Sequence, residues 1–337
     1  MGKQKSSRHP GTTRKYQQPW YQQLWAMLRS EEWADPIAVF ICSRVALFLL
    51  ATAFVGLVPT QLEEPPTLID SFMQWDSSWY RDIVNNSYSW NGPDQQSNVA
   101  FFPLYPLTAK VASFYTAGNV NTAMFLVSNA AFLVYLHYLY KLTKREFEGS
   151  TAQRVILYVA LCPLTFYFSA GYTESLMLAL ATASIYYAQK GTWRAAIPLA
   201  SLAGATRLAG IIVLAPLALA WYQQKKIRRE IAYLLFVPLG LGLFVLYLWD
   251  LTGNPFAFNT VQQAWNRHLV WPWEMFEIAW GLARDLPATR YIRAIALLDF
   301  GSMVVAASLI AVGFCKLVPA YWVYSVPMFL LSISSAL

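Results

Sequence analysis

The chain has 337 residues, of which 57% are hydrophobic and only 13% charged, with a formal net charge of +7. A soluble globular domain carries about a quarter charged residues, and several apolar runs here reach the roughly 20 residues that cross a bilayer. An ordinary soluble protein is therefore excluded, and the class is a polytopic, multi-pass membrane protein. The basic residues concentrate in segments assigned to one side, which is the positive-inside bias and not a nucleic-acid surface.

Residues 1–35 are polar and basic. They are expected to form a cytoplasmic tail, with an amphipathic piece around Trp20 to Leu28 lying on the membrane. Met1-Gly2-Lys3-Gln4-Lys5-Ser6 matches a myristoylation pattern, which adds little to a chain that spans the membrane repeatedly. The first apolar run begins near Pro36, too late and too long for a cleavable signal peptide. Residues 36–337 are expected to be one membrane domain, because no linker of domain-separating length interrupts them.

Span one is expected at about 36–58, followed by an outer loop that, with the segment after it, covers about 59–120. Residues 101–117 are apolar, but a full crossing there would put Lys141, Lys144 and Arg145 outside after the span at 121–141. A half-embedded helix keeps them inside. Spans three and four are expected at 154–170 and 173–188. The same parity argument makes 195–222 an enter-and-return hairpin, broken at Gly204-Ala205-Thr206-Arg207-Leu208-Ala209-Gly210, so that Lys225, Lys226, Arg228 and Arg229 stay inside. Span five covers 231–249, a second outer loop about 250–290, and span six 291–315. The last run, from Val318 to Leu337, has no flanking polar anchor and reads as a truncated end.

The chemistry concentrates in Trp75-Asp76-Ser77-Ser78-Trp79-Tyr80-Arg81-Asp82 and Ala100-Phe101-Phe102-Pro103-Leu104-Tyr105-Pro106. Asp76 is a carboxylate at a membrane surface among rings that can stack on a sugar, as a general base for a hydroxyl requires. If 75–84 is helical, Asp76 and Tyr80 share one face. Asp70 and Asp82 are competitors that spacing does not exclude. Arg207 lies in an apolar hairpin at a Gly-flanked break. Such a residue faces a polar cavity or an anion, or forms a salt bridge, here with Glu174. Glu174 is also explained by helix capping, with Thr173 as cap. Arg44, inside span one, reads as paired or snorkelling. Lys110 and Arg267 are outer-side cations, the latter flanked by Trp265 and Trp271.

Cys42, Cys162 and Cys315 are scattered in apolar runs, and His9, His137 and His268 are far apart. Neither a disulfide framework nor a metal site is expected. No phosphate loop, dinucleotide fingerprint or His-Glu-x-x-His motif is present, so no cofactor is expected.

In order along the chain, the two motifs above, Cys162-Pro163, Ser169-Ala170-Gly171-Tyr172-Thr173-Glu174-Ser175, Ala205-Thr206-Arg207-Leu208-Ala209-Gly210, and Gly253-Asn254-Pro255-Phe256-Ala257-Phe258 with Trp265 and Arg267 resemble the PIG-V-like mannosyltransferases. The resemblance covers roughly 36–337. It implies an all-α, C-type glycosyltransferase bundle with re-entrant helices and outer-face loops. It implies a polyprenyl- or dolichyl-phosphate mannose donor, a glycan or lipid acceptor of unspecified identity, and Asp76 as the base. Compact size fits a bacterial member in the cell membrane better than one of the endoplasmic reticulum. The expected activity is inverting transfer to an acceptor hydroxyl at the outer face. Arg207 and then Arg267 would hold the donor phosphate, with Glu174, Trp75, Tyr80, Arg81, Phe102, Tyr105 and Trp265 as further substrate-binding candidates. The alternatives are another lipid-phosphate sugar in the same fold, separable by donor assays, and a non-catalytic lipid-linked-sugar transporter, which would not need Asp76.

Overall fold

A computed structural model of the chain describes residues 30–57, 67–224, 231–285 and 290–336. The basic tail through residue 29 and the Lys225–Arg229 cluster lie outside the described residues. The helices of ten or more residues are α1 (Glu31–Leu57), α2 (Ser77–Asn86), α3 (Leu104–Ser113), α4 (Val120–Lys144), α5 (Gly149–Leu161), α6 (Glu174–Gln189), α7 (Trp193–Thr206), α8 (Leu214–Gln223), α9 (Leu239–Thr252), α10 (Pro272–Asp285), α11 (Arg290–Lys316) and α12 (Pro319–Ser332). The fold is all-helical apart from one antiparallel pairing of His268–Leu269 with Ser335–Ala336.

Among the described residues, four segments are long and apolar enough to cross a membrane: Glu32–Gly56, Val120–Lys144, Ile231–Thr252 and Ala296–Lys316. The chain is a multi-pass membrane protein. α1 and α11 leave Leu49, Leu50, Phe54, Leu298 and Leu309 exposed, as helices that face lipid do. α4 is the central helix, packed by α1, α3, α5 and α6. Beside it, α6, α7 and α8 pack through Ala181, Ala188, Ala196, Ala200 and Ala203 against Val213 and Leu217. Small side chains let these backbones approach closely, the usual basis of helix association where water supplies no driving force.

The expected continuous span at 154–170 is not formed. α5 ends at Leu161, and a 3-10 helix covers Pro163–Phe168. Pro163 has no N–H to donate and disfavours α geometry at Cys162. The break is stabilised by Arg44, which neither pairs with a carboxylate nor snorkels. Its guanidinium donates to Ala160 O, to Thr165 O at 3.2 Å, to the Thr165 hydroxyl and to Ser169 Oγ at 2.9 Å. It also stacks on Phe132, 4.5 Å from the ring centroid.

Two segments turn back. α3 has ten residues, about 15 Å of helix, too short to cross. It runs antiparallel along the first half of α4: Tyr105 Oη lies 2.8 Å from Ser128 Oγ, and the turn after Ser113 leads into the Asn119 cap of α4. α7 and α8 form a hairpin. Its tip, Arg207, meets Glu174 at the start of α6, while Gln224 after α8 donates to Ala188 O near the end of α6 at 2.7 Å. Gly210 permits the reversal, because a Cβ there would lie 2.0 Å from Ala203 O.

Candidate active site at the Asp76 end of the bundle

The first loop holds Asp76 in an unusual backbone setting. Trp75 adopts φ 48°, the left-handed region, which costs a bulky residue about 1 kcal/mol or more and clusters at functional positions. The helix expected from Trp75 therefore begins only at Ser77, with Asp76 at its N-cap. An N-cap aspartate ordinarily accepts from the first-turn amides. The Asp76 side chain makes no such bond, and only its carbonyl receives Trp79 N and Tyr80 N.

The neighbouring carboxylates are engaged elsewhere. Asp70 accepts from Thr67 Oγ1 at 2.6 Å and Asn121 Nδ2 at 2.9 Å, and the Thr67 hydroxyl leads in lowering its pKa. Asp82 accepts from Asn86 at 2.8 Å and from Asn98 at 2.7 Å. Asp76 is shifted the other way. Loss of hydration among the surrounding groups raises its pKa, the charges of Arg267 and Arg207 oppose that, and Glu174 adds to it. An unpaired carboxylate with a raised pKa is poised to take a proton.

Two further segments close around it. Gly171 N donates to Phe72 O at 3.3 Å, and Tyr172 Oη donates to Gln74 O at 3.1 Å. A Cβ at Gly171 would come within 2.7 Å of Met73 and Met124 and 2.9 Å of Ser77 Oγ, so any larger residue would have to displace these side chains. The segment delivers Glu174, which bonds Arg207 through Oε1, whereas Oε2 is buried without a hydrogen-bond partner. The expected Thr173 cap is not made, because Thr173 has helical dihedrals and no side-chain cap bond. The Arg207 side chain is surrounded by protein yet 51% exposed, so it faces an internal, solvent-accessible space.

α6 has 16 residues, about 24 Å of helix, against a hydrocarbon core of about 30 Å. Lys190 caps its far end, and the Glu174–Arg207 pair stands at the opposite end, beside the first loop.

An aromatic wall joins the two loops. Trp79 stacks on Phe101 with centroids 5.9 Å apart and meets Trp265 edge-on at 5.6 Å. Tyr80 is buried under Phe101 and over Tyr105, and burial raises its pKa, so it stays protonated. Arg267 is exposed beyond this wall, its guanidinium 3.4 Å from Gln262 Oε1. Trp271 stacks on Trp273.

Asp76, Glu174, Arg207, Arg267 and Tyr80 are thus electrostatically coupled, with Trp265 beside them. Trp75 is nearby and exposed. Arg81 instead bonds Asn121 at 3.2 Å, Phe102 packs between Phe244 and Phe258, and Tyr105 is fully buried. These three pack loops and helices together. Trp79, Phe101 and Tyr172 belong to the site but were not picked out from the sequence. The one available signal was their place within the motifs that carry Asp76 and Glu174. Among the described residues no cluster of His, Cys, Asp or Glu could hold a metal.

The family model described as Mannosyltransferase (PIG-V) matches residues 40–236, more than half of the chain, and the chain belongs to that family. The matched region contains Asp76, Glu174 and Arg207, whereas Arg267 lies beyond it. No curated protein and no solved structure matches the chain.

Proposed function

We propose that this member of the PIG-V mannosyltransferase family moves mannose, with inversion, from a polyprenyl- or dolichyl-phosphate donor to an acceptor hydroxyl at the outer membrane face. The observation that carries the reading is the state of Asp76, an unpaired carboxylate with a raised pKa, whereas Asp70 and Asp82 are held by structural hydrogen bonds.

Asp76 accepts the proton of the acceptor hydroxyl as that oxygen forms its bond to the anomeric carbon. The bond from that carbon to the phosphate oxygen breaks on the opposite side. The lipid phosphate leaves with the bonding pair and needs cations, not a proton, as charge builds on it. Arg207 is half-exposed beside Glu174 and is the first cation it meets, with Arg267 the second. When Arg207 turns to the phosphate, Glu174 keeps a buried oxygen able to accept a sugar hydroxyl. Trp79, Phe101 and Trp265 offer faces for stacking.

A mostly apolar groove of about 930 Å³ runs between α3, α7 and α9, with Ala205 on its wall two residues before Arg207. A hydrocarbon chain lying there would bring an attached phosphate to that arginine. This favours a lipid-linked donor over a soluble nucleotide sugar. The test is radiolabel transfer from polyprenyl-phosphate mannose in membranes that contain the protein. Transfer from a different carrier-lipid sugar but not from mannose changes the donor. Movement of lipid-linked sugar across vesicles without transfer defeats the enzymatic proposal.

A further inference from the structure

At the end of the bundle away from Asp76, α4 and α6 finish side by side and their cations converge on one buried ring. Lys141 Nζ lies 5.1 Å, Lys190 Nζ 5.4 Å and Arg145 Cζ 5.8 Å from the centroid of Tyr186. Glu32 neutralises Lys141 at 2.9 Å. Arg145 and Lys190 have no carboxylate within ion-pair distance among the described residues. The ring face and the helix C-terminal carbonyls offset part of the crowded charge. An anion would offset more.

A cleft of about 420 Å³ opens beside them. Arg145, Gln189 and Gln224 form part of its wall, and Ala220, Val318 and Pro319 form another part. Gln224 Nε2 donates to Ala188 O at 2.7 Å, which fixes the amide and leaves Oε1 buried with no partner. Glu146 also lines the cleft, where its Oε1 accepts from Gln189 Nε2 at 3.4 Å and loss of hydration raises its pKa. The walls therefore supply one cation, Arg145, for a phosphate, with Lys190 outside the lining on the Tyr186 ring, and they add oxygen acceptors for hydroxyls and an apolar face for hydrocarbon. A free phosphate would use only the first, and a neutral lipid only the last.

We propose that this cleft binds the headgroup of a hydroxyl-bearing anionic phospholipid, with the phosphodiester on Arg145 and Lys190 and a headgroup hydroxyl donating to Gln224 Oε1. The bias of basic residues marks this end as cytoplasmic, so the lipid would come from that leaflet. The site is separate from the transfer site and does not depend on the donor assigned there.

The probe is phosphatidylglycerol, offered with an equal amount of phosphatidylcholine to the purified full chain, with bound lipid read by native mass spectrometry. The wild type should retain phosphatidylglycerol preferentially. Arg145→Gln with Lys190→Gln should lower that retention about tenfold, as expected for loss of charge-assisted hydrogen bonds. Arg154→Gln with Arg194→Gln removes the same charge and should change it little. Gln224→Leu keeps the cations and should reduce the preference for phosphatidylglycerol over phosphatidic acid, which lacks the headgroup hydroxyls. Each variant is first matched to wild type for thermal midpoint in phosphatidylcholine. Equal losses in the two double variants would mean general surface attraction and overturn the proposal. So would absence of any lipid preference in the wild type, or full displacement of the lipid by glycerol 3-phosphate at comparable concentration.

Discussion

Two arginines lie in apolar stretches of this chain, and their surroundings are opposite. Arg44 is 3% exposed, and its donors are spent on carbonyls and hydroxyls of the α5 break. Arg207 is half-exposed and holds one carboxylate that a better anion can displace. Both carry the same cost of placing a guanidinium at membrane depth. The cost alone therefore does not mark function; the inventory of partners does. The carboxylates of the first loop repeat the contrast, with Asp70 and Asp82 saturated and Asp76 free.

The largest effect is expected where that contrast is sharpest. Asp76→Asn should lower sugar transfer by about a hundredfold to ten-thousandfold while leaving the thermal midpoint and donor binding intact. Asp70→Asn and Asp82→Asn should disturb stability more than turnover. A dead Asp82→Asn that folds normally, beside an active Asp76→Asn, would name a different base.

Next come the arginines. Arg44→Ala should cost about 3 kcal/mol or more in unfolding free energy, because it strands several buried acceptors. Arg207→Ala should leave the midpoint close to wild type and abolish most donor binding. Arg207→Lys should restore part of that binding, keeping the charge but losing the planar fork. Equal destabilisation by both alanine variants would erase the distinction between the two arginines.

A smaller effect concerns pH. Under the proposed mechanism Asp76 works as the anion, so transfer should be full above its pKa and fall as pH drops through it. Loss of hydration raises that pKa, which moves the acid limb of the rate profile above the position an unperturbed aspartate would give. Arg267 opposes the rise, so Arg267→Gln should move the limb to still higher pH. A limb that moves down, or not at all, would show that another group controls it. The smallest change is expected from Trp75→Gly. Relief of the left-handed strain should stabilise the fold by up to about 1 kcal/mol. A loss of transfer alongside that gain would make the exposed indole a contact for sugar.

Much of the bundle was legible because its signals are local. α4 and α11 are long apolar runs closed by lysines, and the hairpin at Arg207 followed from counting basic loops. The break at Pro163 was visible as Cys162-Pro163, but the hydropathy of 154–170 outweighed it. The partner that makes the break tolerable, Arg44, lies 121 residues away from Thr165. The sorting of the three aspartates was not legible for the same reason. Asn121 is 51 residues from Asp70, and nothing near Asp70 announces it. Phe102 and Tyr105 lie in the packing of loops and helices, and an aromatic, Pro-rich segment reads alike whether its rings meet sugar or pack in this way.

The α7–α8 hairpin also acts as a ruler. Both of its feet are tied to the same end of α6, one through the turn at Lys190 and the other through Gln224, and its first arm has 14 residues. The reach of the guanidinium is thus set by helix length and not by local chemistry at the tip. One residue added to α7 would advance Arg207 by about 1.5 Å and swing it by about 100°, taking it off Glu174 without altering any residue of the site. Substitutions at the tip test its chemistry, whereas single-residue insertions and deletions in α7 would measure how finely the depth of that charge is gauged.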